Sequence, residues 1–291
     1  MLDITYRYDP ARPTEHPYPA DGAEALRTLE QGNREFAELV DPLEAGGGQH
    51  TLLMPLDLED LGVATRGERV LPQRPFAVVL GCSDARVPTE MIFHQGCNDL
   101  FVVRVAGNVL GSECLGSIDY ALHHLGESIK LVVVLGHSGC GAVTAAVDAF
   151  LEPANYLGVA SSHPLRAVVD RLLLPVRAAA QALETAHGPD VSRRLGYRGA
   201  LIESTVALNA ALTAATLHQE FRGRLTPRID VAYGVYNLAS RRVQLPMGDP
   251  GEVRLAYSSD DLEGPERLAR ELAGCDAIQG MLGAPGLGRI A

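Results

Sequence analysis

Three residues of this 291-residue chain combine ligand chemistry with suggestive placement: Cys82, His137 and Cys140. Cys82 directly follows the apolar run Phe76 to Leu80 and Gly81, while His137 and Cys140 follow Lys130 to Leu135 and Gly136. Such short apolar runs read as buried parallel strands, and open α/β sheets place their sites at the carboxyl ends of strands. If the two strands are neighbours, the gap of 137 − 82 = 55 residues closes in space. Two thiolates and one imidazole form a strong zinc set, and three protein ligands leave a fourth position open, the arrangement of a catalytic zinc. A structural zinc would use a fourth Cys or His, but Cys97, Cys114 and Cys275 form no close-spaced pair with another ligand. Asp84 and Arg86, taken alone, read as a surface ion pair.

The elements that must position these residues follow from periodicity. Apolar residues recur at helical spacing from Ala23 onward (Ala25, Leu26, Leu29, Phe36, Leu39), after a polar, Pro-rich stretch over 1–22. Residues 41–73 are punctuated by Gly and Pro and read as a surface loop. Leu100 to Val105 is a further strand; Ser112 to Leu125 and Ala142 to Leu151 are helix-like, so strand and helix alternate. Pro175 is expected to kink or split a long helical region, and Leu201 to Phe221 carries another helix. Ile229 to Val235 and Arg242 to Leu245 suggest a terminal hairpin. The fold class expected is α/β, a mostly parallel central sheet flanked by helices, with an amino-terminal helical arm and a carboxy-terminal hairpin. The expected division is an extended arm over 1–22, a domain over 23–245 with a loop insertion at 41–73, and a carboxy-terminal extension over 246–291. That extension holds one short helical stretch near Glu266 to Leu272, and its Gly-rich end offers little apolar area for docking.

Composition narrows the function. With 46% hydrophobic and 21% charged residues the chain can build a core, and its apolar runs are strand-sized, well short of the roughly 18 residues of a spanning helix. A net charge of −11 with no basic run argues against nucleic acid as a partner. Five cysteines make a poor disulfide framework, and the first residues resemble neither a secretion signal nor a transit peptide, so a cytoplasmic location is expected.

The segment CSDARVPTEMIFHQGCNDLFVVRVAGN from Cys82 to Asn108, with GHSGCGAV from Gly136 to Val143, resembles the β-class carbonic anhydrases. ALRTLEQGNREF from Ala25 and VAYGVYNLASRRVQL from Val231 are similar to the family's amino-terminal helix and closing hairpin. The resemblance implies zinc-dependent reversible hydration of CO2 to bicarbonate and a proton, by attack of a zinc-bound hydroxide. It implies one Zn2+ per chain, held by Cys82, His137 and Cys140. Asp84 and Arg86 would be the catalytic pair, Asp84 accepting a hydrogen bond from the hydroxide, or acting as a fourth ligand in a closed state, and Arg86 holding the carboxylate away from the metal. Gln95 and Gly139 would bind substrate, Gln95 from across the interface of a homodimer or dimer-based tetramer. His94 stands where relatives often carry Asp; packing is favoured for it over a proton relay.

Other readings compete. Hydrolysis of carbonyl sulfide or carbon disulfide would use the same metal set, and an inactive zinc-stabilised interaction homologue would keep the fold alone. Gly136, Gly139 and Gly141 open a helix after a strand, but their spacing fits neither the dinucleotide fingerprint nor a P-loop. Gly136-His137-Ser138-Gly139 approaches a nucleophile elbow, yet Cys140 occupies the position of its second Gly.

Overall fold

A computed structural model describes residues 2–8, 18–44, 50–56, 60–61, 72–160, 163–223, 229–249, 251–259, 261 and 263–283. The first elements are β1 (Leu2–Arg7), α1 (Gly22–Glu44) and β2 (His50–Pro55). The core follows with β3 (Ala77–Gly81), α2 (Thr89–Ile92), β4 (Leu100–Arg104), α3 (Ser112–His124) and β5 (Leu131–His137). Helices α4 (Gly141–Leu151), α5 (Pro153–Ala160), α6 (His163–His187) and α7 (Tyr197–Glu220) precede β6 (Asp230–Tyr236), β7 (Val243–Gln244) and β8 (Ala256–Tyr257). Two further helices, α8 (Glu263–Gly274) and α9 (Asp276–Gly283), end the described chain.

The main sheet has the order β4-β3-β5-β6-β7, with β8 also on β6; β3 to β6 are mutually parallel, while β7 and β8 run antiparallel to β6. The expected α/β class and terminal hairpin are therefore present. Alternation along the strands sorts the core into two faces. Val79, Val133 and Leu135 meet Ala25, Leu29 and Phe36 of α1, whereas Val78, Leu80, Val132 and Val134 meet Ile118 and Ala121 of α3 and Ala210 and Ala214 of α7. A third cluster joins α4, α6, α7, α8 and α9. Fully buried Asn33 of α1 ties that helix to both ends of the fold, its amide donating to the carbonyls of Ile92 and Arg241 and its oxygen accepting from the Val243 N–H.

Several expectations are corrected. Residues 2–7 of the extended arm are a strand paired in parallel with β2, and the 41–73 segment is not all loop, since it holds β2 and the end of α1 at Glu44. Residues 9–17, 45–49, 57–59 and 62–71 of these segments lie outside the described residues. α6 passes through Pro175 without a break, because Leu172, Val176, Ala179 and Leu183 bury one continuous face. The carboxy-terminal extension docks: Leu268, Leu272, Ile278 and Leu282 are buried in the cluster with α6 and α7. The final 284–291 lie outside the described residues. By length and hydropathy α7 is a helix that could span a bilayer, contrary to the expectation from apolar runs; here it is mostly buried, against β5, β6, α6, α8 and α9, as a core helix.

Candidate metal centre

The sheet changes direction between β3 and β5, since β4 lies on one side of β3 and β5 on the other. Such a switch point opens a crevice at the strand ends. Register sets Gly81 beside Leu135, so Cys82 leaves β3 alongside the Gly136-His137 end of β5. The Cys82, His137 and Cys140 ligand atoms all lie within 4.8 Å of one another, and all three residues are buried.

The donor set fits zinc on two further observations. The two Sγ atoms are 3.9 Å apart, against about 3.8 Å for two thiolates on a tetrahedral zinc with Zn–S near 2.3 Å. His137 Nδ1 lies 3.1 Å from the Ser138 carbonyl, which can only accept, so Nδ1 carries the proton and Nε2 presents its lone pair. Nε2 is fully buried with no hydrogen-bond partner, and such an atom is costly unless a metal takes it. The thiols are coupled. The neighbouring Cys140 thiol, with His137 and the N–H groups of Asp84 and Gly107, pulls Cys82 well below the usual thiol range; sharing that negative charge, and burial, pushes Cys140 up. A divalent cation removes that conflict by letting both sulfurs be thiolates.

The turn after β3 is fixed from three sides. Asp84 Oδ1 accepts from the Arg86 N–H at 2.9 Å, an Asx-turn, and the Arg86 side chain grips both carboxylate oxygens, Nε to Oδ1 at 2.9 Å and Nη2 to Oδ2 at 2.7 Å. These hydrogen bonds hold the Asp84 carboxyl well below the usual range, against a smaller effect of burial. From the end of β4, Arg104 donates to the carbonyls of Cys82 and Asp84. Asp84 Oδ2 ends 3.8 Å from His137 Nε2, beside the ligand cluster.

The loop after β5 disposes of two rival chemistries. Ser138 Oγ accepts from the Leu238 N–H at 2.9 Å and is built into the fold. Gly139 takes a left-handed φ of 62°, and its N–H donates to Glu203 Oε1 at 2.8 Å, so a carboxylate occupies the place where a phosphate would sit. Burial pushes the Glu203 carboxyl up, and the Gly139 N–H opposes that shift.

Gln95 is not gathered into this cluster. Its Nε2 donates to the Phe93 carbonyl at 2.7 Å, close to Gly32 of α1. His94 is a clip: Nδ1 lies 2.9 Å from Glu35 of α1 and Nε2 2.8 Å from the Leu53 carbonyl of β2. Sequence reasoning missed Glu203 and Asn209. Glu203 left a trace, being the only charged residue between Arg198 and Glu220 of an apolar helix.

A mostly parallel α/β sheet with a Cys-His-Cys zinc set and an Asp-Arg pair at its switch point defines a metalloenzyme with a catalytic zinc. The family model described as carbonic anhydrase matches residues 77–238. A carbonic anhydrase of Mycolicibacterium smegmatis is 34% identical over 201 residues, covering 66% of this chain and 85% of the relative. Carbonic anhydrase 2 of Mycobacterium tuberculosis is 40% identical over 148 residues, covering 51% and 61%. Among solved structures, the β-carbonic anhydrase CcaA is 26% identical, with a TM-score of 0.43 over 59% of this chain and 79% of its own. The chain belongs to the β-class carbonic anhydrase family, and Cys82, His137 and Cys140 are its zinc site.

Proposed function

We propose that this chain catalyses the reversible hydration of CO2 to bicarbonate and a proton, with one zinc held by Cys82, His137 and Cys140. The observation that carries the reading is the unpartnered, buried Nε2 of His137 aimed among two thiols at tetrahedral spacing, with an ionised carboxylate beside them. Zinc supplies Lewis acidity that makes water a nucleophile near neutral pH. Asp84, kept ionised by Arg86, accepts the O–H of the attacking water and aims its lone pair at CO2. Arg86 spends its Nε and one terminal nitrogen on Asp84, so the carboxylate is restrained from swinging onto the metal. A Cβ on Gly139 would meet nothing within 4 Å, which leaves room for substrate beside His137 and Cys140.

The assembly proposed is a homodimer or dimer-based tetramer. Support comes from β4, an edge strand of the described sheet whose Leu100, Phe101, Val102 and Val103 are partly exposed, an edge suited to covering by a second copy. Gln95, whose amide does not reach the ligands of its own chain, would then serve the neighbouring protomer's site. The five cysteines stand outside any disulfide, and with Cys82 and Cys140 assigned to zinc this supports a reducing, cytoplasmic setting. Stopped-flow hydration of CO2 with a pH indicator, on protein of known zinc content, tests the activity; no rate above that of buffer from fully zinc-loaded protein sinks it. Sedimentation velocity tests the assembly, and a monomer at micromolar concentration refutes it.

A further inference from the structure

Outside its own turn, among the described residues, the Cys82 sulfur has one backbone partner: the Gly107 N–H donates to Sγ at 3.3 Å. Gly107 sits after β4 with φ 67° and ψ 17°, a left-handed conformation that favours glycine. Space is tight as well, since a Cβ there would lie 3.0 Å from the Ala142 Cβ and 3.1 Å from a Leu172 methyl, and these would have to give way. The Asn108 N–H, bonded to the Val105 carbonyl, closes the turn on one side. On the other side Asn209 of α7 reaches over from 102 residues away, and its Nδ2 donates to the Gly107 carbonyl at 2.8 Å. Asn209 is only 5% exposed, and Gly107 is buried. Without that amide the Gly107 carbonyl would be a buried acceptor lacking its partner, and the turn would relax to find another.

We propose that Asn209 is a positioning residue of the zinc site: by holding the Gly107 carbonyl it keeps the Gly107 N–H on Cys82 Sγ, and so sets how strongly that thiolate donates to the metal. The inference rests on the zinc reading above. A hydrogen bond to a thiolate draws electron density from sulfur, and second partners of this kind tune the metal through its ligands. The effect matters in this donor set because two thiolates cancel the charge of a divalent ion, and a weaker sulfur donor returns Lewis acidity to it. α7 thereby braces both ligand loops, Glu203 through Gly139 and Asn209 through Gly107.

Cobalt(II)-substituted protein reports the sulfur directly, through its thiolate-to-metal charge-transfer band. Asn209→Leu, and Asn209→Asp, which sets an acceptor against the Gly107 carbonyl, are expected to move that band to lower energy. The bands that report four-coordination should stay in place, and kcat/KM of the zinc enzyme should fall about tenfold, as is common for partners of metal ligands. Ser204→Ala is the matched control, since Ser204 is equally buried in α7 and its hydroxyl has no partner among the described residues. Asn209→Ala replaces the first two variants should they fail to fold. An unmoved band in any Asn209 variant that binds one cobalt and melts like Ser204→Ala overturns the inference. Wild-type protein that takes up cobalt without a thiolate band would overturn the zinc reading instead, so the two failures are distinct.

Discussion

The Arg86 guanidinium holds both oxygens of the Asp84 carboxylate, at 2.9 and 2.7 Å, while Asp84 Oδ2 stands 3.8 Å from His137 Nε2. The carboxylate therefore stands beside the ligand cluster, and on the function proposed above Arg86 would be what restrains it from joining a bound metal. Arg86→Ala would free the Asp84 carboxylate, and a free carboxylate beside an open position on a bound zinc would take that position and exclude water. The expected outcome is a loss of hydration activity of at least about tenfold with zinc content unchanged. Visible spectra of the cobalt form should show carboxylate replacing water; an unchanged spectrum with normal turnover would rule out the restraint.

Cys140→Ala removes one of three donors and leaves Cys82 and His137 as a two-ligand site. Zinc content should fall from one per chain to a small fraction, and hydration should fall with it. Because binding to the native state stabilises it, the zinc-loaded wild type should also melt above the same protein after chelation. Elemental analysis and melting curves provide the check, and a variant that keeps full zinc and full activity would falsify the ligand assignment.

The parts of this site legible in the sequence are those carried by the strands themselves. Cys82, His137 and Cys140 sit one to four residues beyond apolar runs, so local pattern alone brings them to one edge of the sheet. Glu203 and Asn209, each more than sixty residues past Cys140, arrive from the side on α7, and nothing local says which face of α7 meets the ligand loops. β8 is two residues long, too short to show alternation, and β1 with β2 is a parallel pairing between distant segments. The docking of α9 was hidden because only Ile278 and Leu282, among glycines, carry it. Pro175 misled for a related reason: the local cost of a proline in a helix is offset by the face that α6 buries on both sides of it.

Glu203 offers a separation of charge from hydrogen bonding. Burial raises its carboxyl pKa, so the folded state favours the protonated form. That contribution to stability is full below the unfolded value of about 4.3 and is lost as pH rises through the folded value, leaving a desolvated carboxylate at pH 8. Glu203→Gln removes the charge but keeps an acceptor for the Gly139 N–H. Its melting temperature at pH 8 should equal or exceed that of the wild type, whereas Glu203→Ala should be about 1 kcal/mol less stable. A Gln variant as unstable as the Ala variant would show that the ionised carboxylate is itself needed.

The docked extension should matter for stability. Leu272 is fully buried against α6 and α7, so Leu272→Ala is expected to cost roughly 2–5 kcal/mol. Removing 275–291 takes Ile278 and Leu282 from the same cluster and should lower the melting temperature, with activity declining as α7 loses its support. Denaturant titration measures both, and a truncated protein with unchanged stability would mean that α9 contributes no net packing energy.

Hydration should rise with pH on the alkaline side of neutrality and be weak in acid. Two thiolates cancel the +2 charge of zinc, making it a poorer Lewis acid than a zinc held by three neutral imidazoles, so its water deprotonates less readily. Asp84 cannot be the source of such a rise. Arg86 holds its carboxyl below the usual range; the charge is present above that depressed value and is lost only as pH falls through it, far outside the neutral window. Acid also works against the ligands, since protons compete with zinc for the thiolates and the imidazole. His94 is not placed to relay the proton, because Glu35 and the Leu53 carbonyl occupy both ring nitrogens. His94→Gln should therefore leave the dependence of kcat on buffer concentration unchanged, while loosening β2 from α1. Stopped-flow profiles of kcat/KM from about pH 6 to about pH 9 decide the matter. A flat or falling profile would mean that a group other than the zinc-centred nucleophile sets the rate, and loss of the buffer-independent component of kcat in His94→Gln would name that imidazole as the relay.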